Sequence, residues 1–369
     1  MARPVRIAAY TAALLVSLAL IAKHRPPSPA PGDDDGNVTV ARMEVALTPV
    51  RARIARDPRN VVVVGDSSML SHYTLPPDET LAALLEHDAP THGLSVSAVA
   101  FEGFDAVAYY LLADELAALH PRAVVLIANL QTFTAAWFRR THMKHPQLAA
   151  FVRPRRALEA MLLPLEQAGI TNASLVVLPI LRLLGASTMP AALNGYRVRF
   201  HDALDTAATS VRAGDAIADA APLAPGPLPG PKRRLPPQAG IRPQGGESAF
   251  RRVDLYPQHL RRDQATIQIL AAAVRDLRRH GVRVVVALAP IHLQALQMTG
   301  ALTGRDIPGA LTLVREITRA RGGISIDLSE ALPRGTYFTD VYTHFSADGN
   351  RLVAEAMLTQ LANALADDR

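Results

Sequence analysis

Short runs rich in aliphatic residues recur along this chain, separated by longer stretches in which apolar residues return at helical spacing. The runs are Val61-Val62-Val63-Val64, 94–101, 123–128, 174–180, 282–289 and 324–328, and the helical stretches are 78–87, 106–120, 157–168, 264–280, 309–320 and 348–366. A strand that is apolar along its whole length, and not only on alternate residues, is buried on both faces. Strands that return by way of a helix run parallel. The expected fold class is therefore α/β, a three-layer sandwich with a central parallel sheet. No internal repeat breaks the pattern, and 49% hydrophobic residues in 369 are enough for one large domain. Aromatic residues make up only 5%, so the core is expected to be aliphatic.

The rhythm fails in two places. Residues 1–25 read as an export signal or membrane anchor: Arg3 and Arg6 precede the uncharged stretch 7–22, and Lys23, His24 and Arg25 close it. Sixteen residues is short for a spanning helix, but flanking basic side chains snorkel to the interface, and no convincing cleavage site follows. An uncleaved anchor is the preferred reading, with the amino terminus in the cytoplasm, one pass through the inner membrane, and the rest of the chain extracytoplasmic, in the periplasm. Residues 26–40, rich in Pro and Asp, form a tether, and the folded domain is expected over 41–369. Within it, 184–260 is an irregular insertion rich in Pro, Gly and Arg, of the kind that serves as a lid or stays without order.

The net charge of +6 is scattered as arginine pairs with no interleaved aromatics, which argues against nucleic acid and leaves attraction to anionic lipid or acidic polymer as the sharper reading and simple solubility as the plainer one. With no cysteine in the chain, disulfides, thiolate metal sites and a cysteine nucleophile are excluded. His142 and His145 have a two-residue spacing but lack acidic company, so no metal is expected, and no phosphate-binding glycine loop points to a cofactor.

Chemistry concentrates at two distant points. Gly65-Asp66-Ser67 follows the first apolar run directly, which delivers a hydroxyl to the carboxyl end of a buried parallel strand, where open α/β sheets place their sites. Ser68 is the local competitor. Near the other end, Asp340-Val341-Tyr342-Thr343-His344 precedes the last helix and supplies a base. A serine hydroxyl becomes a useful nucleophile when a histidine takes its proton. Further strand ends carry Phe101-Glu102-Gly103 and Ile127-Ala128-Asn129. An ordinary glycine turn and an Asx turn are the plainer readings of Gly103 and Asn129. Trp137, Phe138, His72 and Tyr73 are weaker candidates for pocket residues.

The segment from Val61 to Ser67, together with that from Asp340 to Ala354, resembles the first and last blocks of the SGNH, or GDSL, hydrolase superfamily, and the order of elements matches over most of 58–365. The resemblance implies that Ser67 attacks an ester, that His344 is the base, and that the Ser67 N–H, the Gly103 N–H and the Asn129 side chain form the oxyanion hole. Two departures stand out. The family usually places Asp three residues before the histidine, whereas Asp340 lies four before His344; a bulged loop, a serine–histidine dyad, or help from Asp327 are all open. The family's Gly-x-Asn-Asp is replaced by Ala128-Asn129-Leu130-Gln131, which is more similar to membrane-anchored, extracytoplasmic acyltransferases. The implied activity is a serine esterase or O-acyltransferase acting on ester-linked acyl groups of envelope polysaccharide or lipid, without a cofactor. The alternative is a non-catalytic scaffold that keeps the fold and partners a membrane acyltransferase.

Overall fold

The computed structural model describes residues 40–70, 75–139, 146–183, 256–298, 304–333, 335–339 and 343–366. The expected anchor, nearly all of the tether and of the insertion, His72, Tyr73, His142, His145 and Asp340 lie outside these residues. In chain order the elements are α1 (Val40–Arg56), β1 (Asn60–Gly65), α2 (Leu81–Asp88), β2 (Ser95–Ala100), α3 (Ala106–Ala118), β3 (Ala123–Ala128), α4 (Ala135–Arg139), α5 (Pro154–Met161), α6 (Asn172–Leu183), α7 (Ala265–Arg279), β4 (Arg283–Leu288), α8 (Leu293–Met298), α9 (Ile307–Ala320), β5 (Ile324–Asp327) and α10 (Ala347–Ala366). The strands form one sheet in the order β2-β1-β3-β4-β5, with every neighbouring pair parallel. The chain is α/β with a single central parallel sheet between helical layers.

Alternate residues of each strand divide the core. Val62, Val64, Val124, Leu126, Val284 and Val286 pack into one layer with α1, α3, α7 and α9, while Val61, Val63, Val125, Ile127, Val285 and Ala287 pack into the other with α2 and α10. All four valines of β1 are fully buried, and each such side chain contributes roughly 1.5–3 kcal/mol of hydrophobic stabilisation. This is why the strands read as unbroken apolar runs.

One expected strand is a helix. Residues 174–180 lie inside α6, where Leu175 and Leu178 are buried one turn apart while Val176 is 40% exposed. Helical spacing, not alternation, decides which of these side chains face the core, and the Thr171 hydroxyl accepts a hydrogen bond from the Ser174 N–H at 3.1 Å to start the first turn. The missed signal was Pro179, which cannot donate to a ladder and so fits badly in a buried strand. Helix α1 was not anticipated either, although Met43, Leu47, Val50 and Ile54 line its buried face.

Below the sheet, Arg156 of α5 joins three helices. Its guanidinium donates to Asp114 of α3 at 2.8 Å, to Asp276 of α7 at 3.0 Å and to the Tyr110 carbonyl at 3.0 Å. All three charged side chains are buried, so each satisfies a charge that would otherwise be costly. The pairing fixes the helical layer on which β1 and β3 rest.

Candidate active site

In the order β2-β1-β3-β4-β5 the chain leaves β1 toward β2 and then crosses back to β3 on the other side. The carboxyl ends of β1 and β3 therefore flank the point where the strand order reverses, the place at which open α/β sheets open a crevice. Ser67 lies just beyond β1 and Asn129 just beyond β3, with the Gly103 turn following β2 on the far side of β1.

Ser67 opens a single 3₁₀ turn, Ser67–Met69, capped by Asp66, whose carboxylate accepts from the Ser68 N–H at 2.9 Å. Asp66 and Ser68 are buried and Ser67 is half-buried, so of the two serines Ser67 is the one nearer solvent. Next to it, the Phe101 N–H donates to the Gly65 carbonyl at 3.3 Å and carries the pairing of β2 with β1 one residue beyond the strands. The chain then turns, closed by a Phe104 N–H to Phe101 carbonyl bond of 3.3 Å, with Gly103 at φ +73° in the third position. That left-handed conformation is open to glycine at little cost.

His344 comes from the connection between β5 and α10. Phe338 and Phe345 form an antiparallel bridge, the Thr339 N–H donates to the His344 carbonyl at 2.9 Å, and the Ser346 N–H to the Tyr337 carbonyl at 2.8 Å. The strap so formed delivers the imidazole to the end of β1: Ser67 Oγ lies 3.0 Å from His344 Nε2, across 277 residues of sequence. This distance is that of a hydrogen bond between a hydroxyl and a base.

Between them runs a buried polar chain that sequence reasoning missed. The Asn129 side-chain amide donates to Asp66 Oδ2 at 3.1 Å and to Thr343 Oγ1 at 3.0 Å, while its oxygen accepts from the Gln131 N–H at 3.0 Å. The Asx turn expected as the plain reading of Asn129 is present, and both amide hydrogens are engaged as well. Asp105, buried at the start of α3, accepts from the Val107 and Ala108 N–H groups at 2.9 and 3.2 Å. Burial pushes its carboxyl up to about 7; the two N–H groups oppose this and the nearby charge of Asp66 adds to it. Asp66 directly after Gly65, and Asp105 two residues after Gly103, were the available signal, since an Asp beyond a strand end and before a helical turn is a capping residue.

Asp327, the other carboxylate considered for the imidazole, caps Ser329 at 2.9 Å and pairs with Arg315. Burial pushes its carboxyl up, but the Ser329 hydrogen bonds and the Arg315 guanidinium outweigh this and hold it below the usual carboxylate range. A role at His344 would have to compete with that pair. Trp137 and Phe138 are buried, and Phe138 belongs to the core.

A scan against protein-family models and a search of curated proteins find no match to this chain. No group of three or more metal-ligating side chains occurs among the described residues, and no helix among them is long and apolar enough to cross a membrane.

Beyond the ends of β4 and β5 there is a cavity of about 250 Å³, lined by Ile291, His292, Leu293, Ser329, Leu332 and Phe338. Phe338 of the strap forms one wall of it, with its ring tilted against His292 at 4.3 Å and edge-on to Phe345 at 5.6 Å between centroids.

The strap is sensitive to its contact with α10. A Cβ added at Gly349 would lie 2.3 Å from the Tyr337 carbonyl oxygen and 3.1 Å from the Phe345 Cβ. Backbone cannot yield as a flexible side chain does, so Gly349→Ala should displace the strap and cost about 1–3 kcal/mol. Urea unfolding checks the stability. Leu352→Ala, at a 40% exposed position on the same helix, is the control expected to leave it unchanged.

Proposed function

We propose that this protein is an extracytoplasmic serine esterase or O-acyltransferase that works through an acyl-Ser67 intermediate on ester-linked acyl groups of envelope polysaccharide or lipid. The observation that carries the reading is the 3.0 Å contact between Ser67 Oγ and His344 Nε2 at the switch point of the sheet. A membrane tether is supported by the basic residues on either side of the apolar stretch 7–22.

In this scheme Ser67 Oγ attacks the ester carbonyl as His344 Nε2 takes its proton, and the carbonyl oxygen becomes an oxyanion held by the Ser67 and Gly103 N–H groups. Collapse of the tetrahedral intermediate breaks the bond to the leaving alcohol, which receives the proton from His344. The acyl group is left on Ser67. An incoming hydroxyl then gives its proton to His344 and attacks the acyl carbon, and Ser67 leaves with that proton restored. Water as acceptor gives hydrolysis, and a sugar or lipid hydroxyl gives transfer. Asn129 joins the oxyanion hole if one of its amide hydrogens is shared between its present acceptor and the oxyanion, which leaves its bonds to Asp66 and Thr343 in place.

A fluorophosphonate probe tests the reading, since it reacts with an activated serine and not with an ordinary one. Wild-type protein should be labelled on Ser67, Ser67→Ala should not be labelled, and His344→Ala should be labelled far more slowly. Folded wild-type protein that takes no label would overturn the enzymatic reading and leave the scaffold.

A further inference from the structure

We propose that Thr343 is a positioning residue for the serine–histidine pair, fastening the His344 strap to the ends of β1 and β3 through the amide of Asn129. The inference rests on the reading of Ser67 and His344 as nucleophile and base.

Three observations carry it. Thr343 is adjacent to His344 in the chain and 3% exposed, so its side chain is fixed in the interior while its neighbour's ring reaches Ser67. Its hydroxyl oxygen accepts from Asn129 Nδ2 at 3.0 Å, and the same nitrogen donates to Asp66 Oδ2 at 3.1 Å, one residue before Ser67. One amide therefore touches the residue before the nucleophile and the residue before the base. Asn129 is itself held, because its oxygen accepts from the Gln131 N–H. A displacement of the Thr343 end passes directly into the separation of Ser67 and His344, whereas the Asp66 end is pinned by the Ser68 N–H as well.

Among the described residues, the Phe338 and Phe345 bridge and the Tyr337, Thr339, His344 and Ser346 backbone bonds hold the strap to itself, and Phe338 and Phe345 pack it against Val61 and Val63 of β1. That packing is non-directional. The Thr343 bond adds a directed polar contact beside the ring of His344, and a buried amide hydrogen left without an acceptor would draw Asn129 toward another partner.

The substitution Thr343→Val keeps the branched shape and removes the hydroxyl, and Thr343→Ser keeps the hydroxyl and removes the methyl group. The measurements are kcat and KM for p-nitrophenyl acetate, the rate of fluorophosphonate labelling, and Tm. Thr343→Val is expected to lower kcat and the labelling rate on the order of 10–100-fold, as misplacement of reacting groups does, with KM little changed. Thr343→Ser is expected to restore most of both. A Thr343→Val protein that melts lower but keeps the wild-type kcat while folded would reduce Thr343 to a packing residue and overturn the proposal. So would a Thr343→Ser variant as slow as Thr343→Val. Absence of turnover and labelling in the wild type would instead remove the reading of Ser67 on which the proposal stands.

Discussion

On the proposed acyl-serine scheme, replacing Ser67 by Ala, or His344 by Ala, should lower turnover of p-nitrophenyl acetate by on the order of 10⁴-fold or more, and the double variant should lose little beyond either single one. The reason lies in the division of labour at 3.0 Å. Without Oγ there is no atom to carry the acyl group, and without the imidazole the hydroxyl keeps a proton that makes it a poor nucleophile. Each half is useless alone, so the losses do not add. The residual rate in both variants comes from the N–H groups after β1 and β2, which polarise the carbonyl for attack by water. Steady-state kinetics on the wild type, two singles and the double decide the matter. Two single losses that multiply in the double variant would mean that Ser67 and His344 act independently, and the acyl-serine scheme would fail.

Asp340→Ala extends this logic. If the residues before His344 orient its ring, the loss should appear in kcat with KM unchanged, because orientation matters to the proton transfer and not to substrate docking. A rate equal to wild type would leave a dyad in which the strap and its Thr343 contact hold the imidazole without a third residue.

The strands were legible because β1, β3 and β4 are covered on both faces, which forces an unbroken apolar run that no surface element would carry. The stretch 174–180 has the same composition, and composition was the wrong guide there. Its burial follows helical spacing and its Pro179 suits no central strand. Helix α1 carries Pro49 in its interior, which reads against a helix, although its apolar residues are spaced to form one face. At the site, Ser67 and His344 were legible because their chemistry and their places at a strand end and before a helix are local features. The partnership of Asn129 with Thr343 spans 214 residues, and nothing periodic in either segment announces it. Only the fold, by putting the ends of β1 and β3 side by side, shows that the residues flanking the nucleophile and the base share one amide.

Asp105→Asn should make the protein more stable than wild type at pH 8 by up to about 4 kcal/mol, with the advantage shrinking as the pH is lowered toward 5. The carboxyl of Asp105 is fully buried and raised from 3.8 to about 7 in the folded protein, because burial disfavours its charged form and Asp66 adds repulsion. A raised carboxyl favours the protonated state on folding, so its contribution is whole below about pH 4. As the pH rises from there the unfolded chain releases its proton and the folded one retains it, and stability falls until the folded group also ionises near 7. Above that the penalty is constant. Asparagine has no proton to lose, and its amide oxygen still accepts from the Val107 and Ala108 N–H groups that Asp105 serves at the start of α3. The difference between wild type and variant isolates this one group from every other titration. Urea unfolding at pH 5, 6, 7 and 8 measures it, and two parallel profiles would show that Asp105 ionises as an exposed carboxylate does. The consequence reaches the site itself: Asp66, which holds Asn129 and caps the Ser67 turn, works beside a carboxyl that becomes negatively charged only as the pH passes neutrality.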